Sequence, residues 1–335
     1  MSDAAPPQGQ LDALETGVAE SDLAPPELLR LSGPAHLEAL DRIVSQSVKA
    51  LRPGEGRLAL LLAPKGQFRA LMAVFGGRDE AVVAAPAGRG GELAAGLGKY
   101  LAFSKAKLEP IGAAAALGVF GPRWPVVAAA CGADTEVLAR GGACEVAAEG
   151  GAVRWLGRAF AGIAGVVAVS ESVVALGGVR AEAIAQGALS AGAGALELAR
   201  IEAGWPAWGA ELTEDVLPAE VGLEAVAVSF TKGCYVGQES VARMRTYGHP
   251  NRLLVSVTQV EGPGGVPIVP LTLELRDDGR RRGALTSVAR HPERGAVGLA
   301  LVRREGAVPG AVWLSDGRAF QVDAHPLVAG VPREM

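Results

Sequence analysis

Residues 232–239 read Lys232-Gly233-Cys234-Tyr235-Val236-Gly237-Gln238-Glu239. One cysteine stands between a lysine and an aromatic ring, with glycines on either side to loosen the backbone. A free cysteine is ordinarily a small core hydrophobe, but Lys, Tyr, Gln and Glu are poor neighbours for a core. A helical pattern follows over residues 238–247, which predicts that Cys234 sits in a tight turn feeding a helix N-terminus. Unpaired N–H groups and the positive dipole end favour a thiolate there. Lys232, Arg243 and Arg245 push the same way, so the expectation is a reactive thiol below the free value of about 8.5. Cys131 and Cys144 lie in Ala- and Val-rich surroundings and read as core residues.

Three more stretches stand out. Residues 200–206 read Arg200-Ile201-Glu202-Ala203-Gly204-Trp205-Pro206, residues 217–220 read Leu217-Pro218-Ala219-Glu220, and residues 63–69 hold the turn Pro64-Lys65-Gly66. Together with the octapeptide these resemble the signatures of the YgfZ-type folate-binding proteins, relatives of the aminomethyltransferase T protein of the glycine cleavage system. The resemblance covers roughly residues 27–330 and is strongest between 200 and 250. It implies an α+β, three-lobed aminomethyltransferase-like folate-binding fold with a C-terminal β-barrel. It also implies a tetrahydrofolate or derivative as cofactor, and support for assembly or repair of iron–sulfur clusters, including those of enzymes that modify tRNA. Carried over residue by residue, Cys234 and Lys232 would be the chemical groups. Arg200, Glu202, Gly204, Tyr235, Gln238 and Glu239 would line the folate.

Arg200 and Glu202 suit that reading chemically. A carboxylate can accept from an adjacent ring N–H and exocyclic amine of a reduced pterin, and a guanidinium can hold a carboxylate or pterin oxygen. Which of the two touches the pterin stays open at this point, and a surface ion pair at a turn has the same spacing. One departure from the T proteins matters. Their turn corresponding to Lys65-Gly66 is followed by acidic residues, one of them the catalytic aspartate. Here Gln67, Phe68, Arg69, Ala70 and Leu71 follow, with no carboxylate until Asp79. The expectation is a folate-binding protein that is not a working aminomethyltransferase, with a one-carbon transferase as the rival reading.

Composition bounds the rest. At 335 residues the chain can bury a sizeable core, and 49% hydrophobic with 20% charged residues fits a globular rather than a disordered protein. Three cysteines without a pairing motif argue for a reducing compartment. No secretory leader and no apolar run long enough to span a bilayer are evident. The expectation is a cytoplasmic protein without a membrane partner. Net charge is −4, so no global field draws in nucleic acid. Eight arginines at 276, 280, 281, 282, 290, 294, 303 and 304 form a local basic stretch. It reads as a solvated rim or as a docking surface for polyanions, the basis of an RNA-binding alternative. No aromatic is interleaved to stack bases, so direct nucleic-acid binding is not expected. The four histidines are widely spaced and no metal site is expected.

Periodicity predicts an acidic mobile arm over 1–25, an α+β core over 26–250 with a lobe boundary near 118–125, and a β-barrel over 251–330. Within the core the pattern gives a strand at 28–31, a helix over 35–51, a hairpin over 57–74 turning at 64–66, a strand at 81–85, a helix over 90–101 and a strand at 106–110. Further strands are expected near 126–130, 145–148, 153–156 and 166–169, with helices near 133–138, 181–185 and 190–199. Short strands at 253–257, 271–275, 283–288, 296–301 and 321–324 suggest the barrel.

Overall fold

The computed structural model describes residues 4–157, 162–276 and 281–324. Contacts divide the chain into two compact units. One joins Asp12–Ala191 to Ala227–Gln238, and the other joins Met1–Leu11, Gly192–Val226 and Glu239–Met335.

The chain opens with α1 (Gln8–Glu15) and β1 (Ala19–Leu23), then β2 (Glu27–Ser32), α2 (His36–Asp41), β3 (Gly56–Leu62), β4 (Phe68–Gly76), β5 (Glu80–Ala85), α3 (Gly90–Leu101) and β6 (Lys107–Ile111). Strands β3-β4-β5-β2-β6 form an antiparallel sheet in that order. β3 and β4 are near-continuous apolar runs and are buried along almost their whole length. Leu93, Leu97 and Leu101 recur every four residues on one face of α3 and pack with Leu40, Val44 and Val48 into the core of this sheet.

A second sheet follows from β7 (Ala115–Phe120), α4 (Trp124–Ala130), α5 (Thr135–Ala139), β8 (Ala143–Ala148), β9 (Gly151–Leu156), β10 (Gly165–Ser170), α6 (Val173–Ala185) and β11 (Leu189–Ser190). Its order is β11-β1-β7-β10-β9-β8. Trp124, Trp155, Leu176 and Val179 sit in its core.

The other unit holds α7 (Ala193–Glu202), most of α8 (Glu224–Ala227) and of α9 (Gln238–Tyr247), and β12 (Arg252–Glu261), β13 (Leu271–Leu275), β14 (Arg281–His291), β15 (Gly295–Arg303), β16 (Val312–Ser315) and β17 (Arg318–Ala324). These six strands close into a barrel around Trp313, Phe320, Leu273 and Leu285. Residues 325–330 of the expected barrel lie outside the described residues. No described helix is long and apolar enough to cross a membrane.

Three expectations are corrected. The N-terminal arm is not free: residues 8–15 are helical, and β1 pairs with β7 and β11 while Leu14, Val18 and Ala19 are buried. The helix expected over 35–51 stops at Asp41. The Asp41 carboxylate accepts from the N–H groups of Val48 (2.7 Å) and Lys49 (3.1 Å), which folds the following residues into a loop. Residues 126–130 belong to a helix, because Pro125 sits in its first turn and Val127 and Ala128 face the core on one side. The alanine-rich strand β7 has no counterpart among the expected strands.

Candidate functional site

Lys232 explains how the octapeptide is held. Its side chain is 1% exposed, and its ammonium donates to the carbonyl oxygens of Asp41, Val44 (2.8 Å) and Gln46 (3.1 Å). The Asp41 carboxylate lies 3.5 Å away, and the Tyr235 ring centroid 5.3 Å away. Burial lowers the Lys232 pKa, and Asp41 works against that shift. Tyr235 is itself buried, which pushes its hydroxyl up to about 12.

Ser45 stitches the same loop to the segment before the octapeptide. Its hydroxyl donates to the carbonyl of Ala227 (2.6 Å), and its own carbonyl accepts from Ser229 (3.0 Å). At the far end Gly237 has φ +82°, and a Cβ there would stand 2.6 Å from the carbonyl oxygen of Ala63. The octapeptide therefore lies directly on the Pro64-Lys65-Gly66 hairpin turn, and two of the recognised stretches meet.

Cys234 is exposed between these two fixed points. α9 begins four residues later, at Gln238. Lys232 does not serve the thiol, because its three N–H donors are committed to the carbonyls of the 41–46 loop. Its expected chemical role gives way to an anchoring one. Gln238 is half-buried and Glu239 exposed. Cys131 and Cys144 are half-buried and pack against the core of the second sheet. Burial, with some help from Glu182, pushes the Cys131 thiol up to about 11, and burial also raises that of Cys144.

The Arg200 segment caps α7 in the other unit. Gly204 takes φ +65°, and the N–H of Trp205 returns to the carbonyl of Arg200 (3.1 Å), which ends the helix. Arg200 is buried and saturated. Its guanidinium donates to both oxygens of Glu197 (2.9 and 2.6 Å), to the carbonyl of Trp205 (2.5 Å), to Glu211 (3.3 Å) and to the Ser287 hydroxyl (2.7 Å). Ser287 donates onward to Glu211 (2.7 Å), which is fully buried. Burial opposes the Arg200 charge most strongly, yet the two glutamates outweigh it and raise the pKa.

Glu202 differs. Its side chain is 28% exposed, ion-paired to Arg294 and 3.6 Å from His291. Of the two residues that the sequence left open, Glu202 is the more exposed, its side chain at 28% against 8% for Arg200. Glu220 of the third stretch is buried and holds Arg252 through both carboxylate oxygens (2.8 and 2.9 Å), a structural clamp. Asp41, Ser45, Glu211 and Ser287 carry no sequence signal that marks them, because each acts through a partner distant in the chain.

The arginine-rich rim is partly neutralised by ion pairs. Arg276 pairs with Glu261 (2.9 Å) and Arg294 with Glu202. Arg303 and Arg304 are exposed, Arg290 is half-buried, and Arg280 lies outside the described residues. Among the described residues no three of His, Cys, Asp and Glu gather as metal ligands.

The sequence profile of the GCVT N-terminal domain matches residues 8–232, well over half of the chain. A tRNA-modifying protein YgfZ from Serratia proteamaculans is 36% identical over 91 residues, which is 27% of this chain and 28% of that protein. An aminomethyltransferase from Shouchella clausii is 31% identical over 122 residues, 36% of this chain and 32% of that one. The chain thus matches about a third of the length of these curated relatives. The crystal structure of the glycine cleavage aminomethyltransferase T of Bartonella henselae superposes with a TM-score of 0.83, covering 96% of this chain and 89% of that one at 20% identity. That likeness establishes the three-sheet α+β fold with its closed C-terminal barrel as aminomethyltransferase-like. The chain belongs to the family of the GCVT N-terminal domain, and the resemblance to YgfZ-type relatives of the aminomethyltransferases holds.

Proposed function

We propose that this protein binds tetrahydrofolate or a derivative and uses the Cys234 thiol to support assembly or repair of iron–sulfur clusters, including those of enzymes that modify tRNA. The observation that carries the thiol reading is an exposed cysteine held between two rigid points, the Lys232 anchor and the Gly237 contact. Such a thiol is presented rather than stored. Glu202 is the acceptor for the pterin, with Arg294 and His291 orienting its carboxylate. Arg200 positions the α7 terminus, and Gly204 supplies the turn. Tyr235, Gln238 and Glu239 are the remaining folate-facing positions of this reading. The partners are the folate and iron–sulfur proteins or their assembly machinery, and the compartment is the cytoplasm.

Tetrahydrofolate titration followed by tryptophan fluorescence tests the folate part, because Trp205 and Trp208 neighbour Glu202 in the chain. Glu202→Ala removes a charge-assisted acceptor worth about 1.5–3 kcal/mol, roughly tenfold or more in affinity. No binding by the wild-type protein would remove the folate reading, and unchanged affinity in a folded Glu202→Ala variant would remove Glu202 from it. For the thiol, Cys234→Ala is expected to keep its melting curve and folate affinity while failing to rescue iron–sulfur enzymes in cells lacking the native protein. Full rescue at equal expression would make the thiol dispensable.

A further inference from the structure

Within the unit that carries the two sheets, the turn before β3 and the turn after α5 enclose a cavity of about 430 Å³. Its wall holds Arg52, Arg57 and Arg140 against a single acid, Glu55. Arg52 is spent on Glu55, through its backbone N–H (3.0 Å) and side chain (2.8 Å). Arg57 donates to the carbonyl of its neighbour Gly56 (2.9 Å). Arg140 faces Glu136 at 3.6 Å with both side chains largely exposed, a weak pair. The wall thus carries two positive charges in excess. Hydrogen bonds from Arg52, with Arg57 adding its field, hold the Glu55 carboxyl below its ordinary value.

The floor is backbone. Ala143 donates to the carbonyl of Gly54 (3.0 Å), and a Cβ on Gly56 or Gly142 would stand about 2 Å from the carbonyl oxygens of Gly141 and Gly54. No side chain can fill this floor, and the two turns are locked together. The arginines are therefore carried on a rigid base.

We propose that this cavity binds a small molecule through a phosphate group, best a diphosphate. The volume falls within the range of small-molecule sites. Guanidinium forks match phosphate oxygens two at a time, and Arg57 and Arg140 are the two not committed to a close carboxylate. No aromatic lines the wall, so a base or ring is not what the cavity recognises. Neither Cys234 nor Glu202 lines this cavity, and the proposal does not depend on their roles.

Calorimetric titration of the full chain with pyrophosphate at low salt tests the proposal. Binding is expected, with ADP no tighter than pyrophosphate and with affinity falling as salt rises. The variant R57Q/R140Q should weaken pyrophosphate at least tenfold while its melting curve and its Cys234 alkylation rate stay at wild-type values. Both positions are exposed, so the fold tolerates the change. No binding at millimolar pyrophosphate would overturn the site. So would equal binding by R57Q/R140Q, or binding confined to long RNA, which would mark diffuse surface charge.

Discussion

Lys232 shows how a residue chosen for chemistry can turn out to build the platform for it. Its ammonium satisfies three carbonyls that the unwound end of α2 leaves open, and burying it elsewhere unpaired would be costly. Lys232→Met keeps the apolar stem but strands those acceptors, so a loss of about 2–4 kcal/mol in stability is expected by denaturant titration. The same variant should expose the peptide around Cys234 to protease in the folded state, whereas an anchor without influence on the loop would leave cleavage unchanged. The half-buried thiols make a separate claim about pH. Cys131 is raised from its ordinary value of 9.0 to about 11, so its folded form keeps a proton that the unfolded chain releases. Stability from this source is full below pH 9 and is lost as pH climbs through 11. Melting temperature measured between pH 8 and 11 should fall less steeply in Cys131→Ala than in the wild type. Parallel curves would show that another group governs the alkaline loss.

At the scale of elements, the hairpin turn between β3 and β4 is the seat of the octapeptide, and Gly237 is the point of contact. A side chain there meets two obstacles, the positive φ of 82° and the carbonyl of Ala63 at 2.6 Å. Gly237→Ala should cost about 1–3 kcal/mol through strain and displaced backbone, and it should broaden the reactivity of Cys234 toward alkylating agents. Wild-type stability in that variant would mean the loop docks loosely. The same region shows what was legible beforehand. The hairpin, α3 and α9 follow from local periodicity, and the structure has them within a residue or two of the expected bounds. α2 is shorter than its apolar pattern, because the ending comes from a carboxylate folding back and from a lysine nearly two hundred positions away. The Val126-Val127 pair reads as strand, yet behind Pro125 it belongs to a helix that buries Val127 and leaves Val126 exposed. The motif stretches themselves were legible, but the division of labour between Arg200 and Glu202 was not. It depends on Ser287 and Arg294 from β14 and the turn beyond it.

For the whole molecule, the aminomethyltransferase likeness in fold raises the question of whether the transfer reaction survives in this chain. The hairpin offers the position at which the T proteins are expected to carry their acid, yet residues 67–71 hold no carboxylate and Arg69 is exposed there. Asp79, the next acid in the chain, cannot move in to replace it. It follows the far end of β4, a nine-residue strand, so roughly 25 Å of extended backbone separates it from the turn. A general acid must come within hydrogen-bond reach of the group it serves, and electrostatic stabilisation of a cationic transfer state fades over such a span. The protein is therefore expected to yield no methylenetetrahydrofolate above background when mixed with the other glycine cleavage components, labelled glycine and tetrahydrofolate. The measurement is decisive when the same preparation binds tetrahydrofolate, because the missing step is then chemistry rather than binding. Turnover comparable to an aminomethyltransferase control would require a carboxylate from some other element, and a scan of acids to their amides would find it. Should that scan reach Asp79, the hairpin would have to rearrange along its whole length during the reaction, and the rigid seat of Cys234 would fail with it.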